Sequence, residues 1–450
     1  VKGLTIIHNL SKVFHGAGLK AKALRGSAWT VLGYGTSQII RLLSNLVLTR
    51  LLFPEAFGLM AIVQVFMQGL AMFSDMGIGP SIIQSKRGDD PAFLNTAWTI
   101  QVIRGFTLFI FTCVIAVPIA YLYGEPSLIS LMPVAGLAAV ISGFNPTKLV
   151  TANRNLFLGR LTIIEITSQI VSVGVLIFLA WLMHSVWALV IGGLVAQLTK
   201  LVLAQQYMPG PNNRFIWDRD SLKSLVHFGK WIFLSSIFGF FVQQGDKLVL
   251  ATFMTIAELG VYSIAFFLSS APWALNLKLN QLILFPIYSK LKGLNSRQLR
   301  PKIIKARIAV CCLLLPPLLI LILFGNHIVM FLYDERYWEA GWMIQILSVG
   351  YAISVGTNIG PFYLAQGNSK LFLIIVVVKA LLMGLCMILG GYLYGSTGVV
   401  VGIAVSNFVF YIFSSAIYSH FNLWLWRLDI FVIAIILCAT AIAYWRIITV

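Results

Sequence analysis

The stretch YGTSQIIRLLSNLVLTRLL, residues 34–52, decides how this chain is read. It is apolar enough to lie in a bilayer, yet Arg41 stands at its middle and Arg50 near its end. Laid out along a helix, Tyr34, Gln38, Arg41, Asn45 and Thr49 follow at steps of four, three, four and four. That spacing gathers them on one face. A charge at the bilayer centre costs at least about 2.5–3.5 kcal/mol, so such a face turns toward protein or water rather than lipid.

The rest of the chain fits a membrane setting. Of its 450 residues 59% are hydrophobic and 10% charged, and the mean hydropathy is +0.91. A soluble chain carries about 25% charged residues. The fold class expected is therefore an all-α polytopic membrane protein. Apolar runs near the roughly 20 residues that cross a bilayer fall at 28–52, 56–78, 93–122, 128–149, 157–182, 186–206, 228–254, 258–287, 305–332, 338–365, 370–393, 397–418 and 428–447. The five cysteines lie inside these runs, with no metal-ligand spacing and no disulfide framework. No metal site and no cofactor is expected. GxxxxGK[ST] and HExxH do not occur, which argues against an ATPase and a zinc hydrolase.

The net charge of +18 reads as membrane orientation rather than affinity for nucleic acid. With the N-terminus inside, the cytoplasmic segments hold 23 of the 32 Lys and Arg. Those segments are the tail 1–26 and the loops 85–91, 147–160, 212–230, 288–307, 367–370 and 424–429. The tail VKGLTIIHNLSKVFHGAGLKAKALRG is basic and lacks the apolar core and cleavage site of a signal peptide. The N-terminus is therefore expected on the cytoplasmic side.

The stretch MPGPNNRFIWDRDS, 208–221, has linker composition and separates two halves. The expected organisation is a tail over 1–26, an N-lobe over 27–207, a linker over 208–227, a C-lobe over 228–420 and an additional helix over 421–450. An internal repeat supports the division. A shift of 202 residues lays NLVLTRLLFPEAFGL (45–59) on KLVLATFMTIAELGV (247–261) without gaps, matching Leu46 to Leu248, Val47 to Val249, Leu48 to Leu250 and Gly58 to Gly260. Two such halves run in the same direction through the membrane, related by an axis along its normal.

Other spans carry polar faces too: Gln64, Gln68 and Asp75; Gln101 and Arg104; Glu165 and Gln169; Gln243 and Lys247 with Asp246 beside them; Asn276 and Asn280. Together they describe a central hydrophilic cavity in which cations outnumber acids. Such a cavity suits an anionic ligand. The candidate substrate-binding residues are Gln38, Arg41, Asn45, Arg104, Gln243, Lys247, Lys278 and Lys379. Asp75, Glu165 and Asp246 are candidate coupling sites for a proton or sodium ion. Each has a bland alternative: Arg41 and Arg104 in internal ion pairs, Lys247 neutralised by Asp246, Lys278 and Lys379 reaching for an interface.

The stretches SNLVLTRLLFPEAFGLMAIV (44–63), DMGIGPSIIQ (75–84) and the QQGDKLVL…LGVYSIA…LFPIYSKL pattern within 228–291 resemble Wzx-type polysaccharide transporters. These belong to the multidrug/oligosaccharidyl-lipid/polysaccharide superfamily. The resemblance implies two six-helix lobes in a V, as in the MATE-like fold, with one or two extra C-terminal helices. It implies translocation of an undecaprenyl-pyrophosphate-linked oligosaccharide from the cytoplasmic to the periplasmic leaflet by alternating access. It also implies that the membrane is a bacterial cytoplasmic (inner) membrane. Membrane lipids and polysaccharide polymerase or co-polymerase machinery are the implied partners. It marks Arg41, Arg104 and Lys247 as matching in kind. A lipid II flippase, a cation-coupled drug antiporter and a non-transporting scaffold of a glycan assembly complex remain as alternatives. An enzyme is not expected. The resemblance implies 12 or 14 spans, the numbers often found in such transporters, against the 13 counted.

Overall fold

The computed structural model describes residues 19–155, 157–280, 284, 296–357, 369–420 and 424–449. Of the tail, residues 1–18 lie outside them. So do 281–283 and 285–287 of the eighth run, 358–365 of the tenth, and parts of the loops 288–307 and 367–370. The described chain is helical, with no strand among the described residues. It divides into two compact units, Val1–Leu52 with Phe66–Ile237, and Phe53–Val65 with Phe238–Val450.

The first unit holds α1 (Leu19–Leu51), the end of α2 (Pro54–Phe73), α3 (Ile78–Gln84), α4 (Pro91–Tyr123), α5 (Leu128–Gly143), α6 (Lys148–Arg154), α7 (Leu158–Met183), α8 (Trp187–Tyr207) and the start of α9 (Arg219–Phe253). Helix α1 begins within the stretch read as tail, and α9 within the stretch read as linker. α4 packs on α5, α7 on both α1 and α8, and α5 on α8. The start of α4 is written in its sequence: the Asp90 side chain accepts from the Ala92 N–H, and Pro91 takes the first turn.

Two expected spans are broken. The run 56–78 stops at Phe73 and resumes at Ile78. Gly77 adopts φ 62°, a left-handed conformation that a side chain disfavours. Asp75 therefore sits in the break, not on the helical face with Gln64 and Gln68. Its Oδ1 accepts from the Gly77 N–H at 2.8 Å. The run 128–149 bends by 61° between α5 and α6, where Asn145 and Pro146 interrupt the helix.

Residues 208–218, read as a linker, are extended and fastened to the first unit. Asn213 accepts from the Thr147 N–H at 2.9 Å and donates to Thr147 Oγ1 at 2.9 Å. The Ile216 and Asp218 N–H groups donate to Thr99 and Thr96 on α4. Phe215 lies 4.7 Å from the Trp98 ring. These bonds satisfy backbone that would otherwise face only water.

The second unit holds the start of α2, the end of α9, α10 (Ile256–Leu279), α11 (Ser296–Leu332), α12 (Ala340–Thr357), α13 (Ser369–His420) and α14 (Trp426–Thr449). α12 is its central helix, 72% buried over its apolar window against 39% or less for the other candidate spans. α10, α11, α13 and α14 all pack on it. α10 starts with a reciprocal cap in which the Thr255 side chain accepts from the Glu258 N–H and Glu258 accepts from the Thr255 N–H. α13 is two helices joined at Tyr394 and Gly395, matching the separate runs 370–393 and 397–418.

The 202-residue repeat reappears here as geometry. A Cβ on Gly58 would strike the Ile256 carbonyl, and a Cβ on Gly260 would strike the Pro54 carbonyl. Ile256 is Pro54 shifted by 202, as Gly260 is Gly58. Each partner thus meets the counterpart of what the other meets, the signature of a two-fold contact. Only glycine allows α2 and α10 to approach so closely.

Among the described residues nine helices are long and apolar enough to cross a membrane, or ten if α5 and α6 form one bent span. The nine do not include α1 or α9, and they count both arms of α13 once. All thirteen apolar runs contain helix. The protein is a multi-pass membrane protein.

Candidate functional site

In the first unit the α1 stripe forms as spaced. Gln38 Nε2 donates to Tyr34 Oη at 2.9 Å. Arg41 is exposed and makes no ion pair among the described residues. Asn45 Oδ1 is buried without a hydrogen-bond partner. A neighbouring face of α1 packs on α7, where Ser37 Oγ donates to Gln169 Oε1 at 2.6 Å and Gln169 Nε2 returns a bond to the Ser37 carbonyl. The packing face and the stripe are therefore adjacent but separate, and Arg41 is not held by a carboxylate.

Arg104 on α4 reaches the broken end of α2. Its Nε donates to Ser74 Oγ at 2.9 Å and its Nη2 to the Ala71 carbonyl at 2.5 Å. Neither Asp75 nor Glu165 forms an ion pair with it. Instead Glu165 stands 3.6 Å from Lys200, both partly exposed, beside a second cavity of about 410 Å³. Arg104 lines a cavity of about 740 Å³ between the end of α2, α4 and Val226 at the start of α9. Asp75 borders the same cavity, whose walls are otherwise largely apolar.

In the second unit, Asp246 and Lys247 are neighbours in sequence but do not pair. Asp246 is 3% exposed; its Oδ2 accepts from Tyr262 Oη at 2.7 Å, and its Oδ1 has no partner. Lys247 Nζ donates to Gln244 Oε1 at 3.0 Å and lies 4.8 Å over the Phe266 ring. Lys379 Nζ sits between Trp273 at 5.1 Å and Phe410 at 5.4 Å, with Tyr351 stacked on Trp273. Aromatic faces favour the ammonium without neutralising it. Gln243 and Lys278 are exposed. Asn280 Nδ2 donates to the carbonyl and the side chain of the buried Asn276.

Among the described residues each unit therefore holds cations that form no ion pair: Arg41 in the first, Lys247 and Lys379 in the second. Chemically they can accept an anionic ligand through charge-assisted hydrogen bonds. Asp246, buried with one oxygen unpartnered, can take up a proton or a cation.

Two charged residues counted with the cytoplasmic loops are in fact buried together. Arg307 on α11 and Asp429 on α14 are 5% and 0% exposed and stand 2.5 Å apart. Arg307 also donates to the Gly356 carbonyl, and Tyr411 to Asp429 Oδ2 at 3.4 Å. The one signal in the sequence is that each is the last charge before a long apolar run. Among the described residues no three His, Cys, Asp or Glu side chains gather as a metal site.

Comparison with known proteins places this geometry in context. Over 393 residues the chain is 24% identical to the lipopolysaccharide biosynthesis protein WzxC of Escherichia coli K12, covering 85% of this chain and 78% of that one. Over 302 residues it is 24% identical to the teichuronic acid biosynthesis protein TuaB of Bacillus subtilis, covering 66% of this chain and 62% of TuaB. The succinoglycan biosynthesis transport protein ExoT of Rhizobium meliloti is 22% identical over 319 residues, covering 67% and 63%. Among solved structures the chain matches the lipid II flippase MurJ at TM-score 0.67 and 15% identity, over 94% of this chain and all of MurJ. It matches a multidrug resistance MATE family transporter of the MOP superfamily at TM-score 0.64 and 14% identity, over 89% and 95%. Those likenesses establish the fold, which this chain shares with MurJ and the MATE transporter. The model of the family described as polysaccharide biosynthesis protein matches residues 47–342, and the chain belongs to that family.

Proposed function

We propose that this protein is a flippase that carries a lipid-linked oligosaccharide from the cytoplasmic to the periplasmic leaflet of a bacterial inner membrane. The observation that carries the reading is the set of cations on largely apolar helices that form no ion pair among the described residues, in a member of a polysaccharide biosynthesis family. Moving a pyrophosphate and several sugars through hydrocarbon is prohibitive without such groups. In this reading Arg41 offers the first unit's charge to phosphate, with Gln38 and Asn45 beside it for sugar hydroxyls, and Lys247, Lys278 and Lys379 with Gln243 offer the same chemistry in the second unit. The site opens first to one side of the membrane and then to the other. The uneven distribution of Lys and Arg supports a cytoplasmic N-terminus.

Asp246 is the coupling residue in this scheme. A buried carboxylate with an unpartnered oxygen is costly when charged, so a proton or sodium ion arriving there relieves that cost. Asp75 and Glu165 are weaker choices, because the first bonds a backbone N–H and the second pairs with Lys200.

The deciding experiment is depletion of the protein in its native cell, with lipid-linked oligosaccharide measured on each leaflet. Accumulation on the cytoplasmic leaflet is the expected result, and mass spectrometry of that lipid names the sugar. Unchanged surface glycan with no accumulation sinks the proposal.

A further inference from the structure

The cleft beside Arg104 has a composition the proposed transport site does not explain. It encloses about 740 Å³, within the roughly 300–1,000 Å³ of a small-molecule site. Leu70, Phe73, Ile100, Ile103, Phe111 and Val226 wall it. It exists because α2 stops at Phe73, which leaves a gap in the helix wall that α4 and α9 do not fill. Phe73, Ile103, Phe111 and Val226 are at least 37% exposed, so the cleft is open to a ligand.

Arg104 is held at the edge of this apolar space. Two of its nitrogens are occupied, Nε by Ser74 and Nη2 by the Ala71 carbonyl. Nη1 has no partner among the described residues. Asp75 is near but turned to the Gly77 N–H and forms no ion pair with Arg104. The guanidinium is thus fixed in orientation with one end free. A ligand for this cleft combines a long apolar part with a single anionic group. A free sugar nucleotide, polar over most of its surface, matches poorly a lining that is apolar apart from Ser74, Asp75, Arg104 and Thr107.

We infer that the cleft holds the isoprenoid chain of a polyprenyl phosphate, with a phosphate oxygen at Nη1 of Arg104. This deepens the flippase reading and rests on it for the choice of a polyprenyl carrier over an ordinary phospholipid. It moves Arg104 from sugar-bearing cavity to carrier-binding cleft. The lipid portion of the substrate then has a protein site of its own.

Photolabelling of the purified full-length chain in phosphatidylcholine vesicles tests this. The probes are diazirine analogues of polyprenyl phosphate, neutral polyprenol and phosphatidylglycerol, read by mass spectrometry of the α4 peptide. Polyprenyl phosphate is expected to label Ile100–Phe111 about ten-fold more than polyprenol, the size of one charge-assisted hydrogen bond. Ile103→Trp fills the cleft and cuts labelling about ten-fold, the loss of roughly one well-packed contact, while Ile103→Val keeps it. Arg104→Gln retains a donor for Ala71 but removes the preference for phosphate over polyprenol. Equal labelling by phosphatidylglycerol, labelling spread evenly over the lipid-facing helices, or wild-type labelling of Ile103→Trp overturns the inference. Any of these results leaves the leaflet assay standing, so failure of the cleft and failure of the flippase reading are told apart.

Discussion

Asp429→Ala should unfasten the last helix. Asp429 is fully buried, Arg307 is 5% exposed, and their charged atoms lie 2.5 Å apart. Coulomb's law at an effective dielectric of about 20 gives roughly 6–7 kcal/mol for that separation. Most of this offsets the cost of taking both ions out of water. Removing one partner cancels the attraction but keeps the cost of the other, a net loss of about 3–5 kcal/mol. The remaining Arg307 bond to the Gly356 carbonyl cannot replace it. A loss of about 4 kcal/mol is nearly a thousand-fold in the folded ratio. The pair joins α11 to α14, with α12 and α13 contributing Gly356 and Tyr411, so the effect should appear as release of α14 from the second unit. The assay is thermal unfolding of detergent-purified protein, followed by protease access to the α13–α14 connection. Arg307→Met with Asp429→Leu should recover most of the stability, because no lone charge is left. If Asp429→Ala unfolds within about 0.5 kcal/mol of wild type, on the scale of an exposed pair, the buried-pair reasoning fails.

Arg41→Ala should abolish export of the lipid-linked oligosaccharide while leaving the protein level intact; export at the wild-type rate would make the stripe structural. Asp246→Asn should flatten the dependence of transport on the proton or sodium gradient, whereas Tyr262→Phe, which removes only the bond to Oδ2, should weaken it; unchanged gradient dependence in Asp246→Asn would exclude the coupling role. Gly58→Ala and Gly260→Ala should each destabilise the protein by about 1–3 kcal/mol, the range for overpacking, because a Cβ there meets a carbonyl of the other helix; two variants as stable as wild type would show the crossing to be loose. At the linker, the Ser221 hydroxyl and N–H hold the Asp218 carboxyl below its ordinary range, with Arg87 adding to the effect. Its folded pKa is depressed, so the stabilisation is present at neutral pH and is lost as pH falls below about 4. Hydrogen exchange over 208–221 should therefore rise on acidification, and Asp218→Asn should show the same rise at pH 7.

Much of the fold is legible because a membrane restricts it. Apolar runs of about 20 residues read as helix, because backbone groups in lipid must bond within the protein and a barrel strand needs only about 9–11 residues. The α1 stripe was legible for the same reason: polar residues at helical spacing have few places to face. What the sequence hides is local and depends on distant contacts. Asp75 has the right spacing for the face of Gln64 and Gln68, but Gly77 ends that helix first. Arg307 and Asp429 look like loop charges because each lies at the mouth of an apolar run, and 122 residues separate them. Asp246 and Lys247 look like a neutral pair because they are adjacent, yet one bonds Tyr262 and the other Gln244. Adjacent residues on a helix point about 100° apart, so adjacency in sequence is weak grounds for pairing. The cleft at Arg104 was invisible because it is formed by the absence of a helical turn.

The reciprocal approach of Gly58 and Gly260 also bears on ancestry. In a dimer of identical chains, the same glycine would supply both sides of the crossing, and any substitution would act twice. A tandem duplication places the two sides under separate genetic control. The crossing itself tolerates little change, because backbone meets backbone on both sides. Elsewhere the copies have been free to drift apart: Arg41 aligns with Gln243, and Asn45 with Lys247. Each aligned pair keeps one cation and one amide, but in opposite order. The two copies thus keep the backbone crossing alike while carrying their cations at different steps of the corresponding helices.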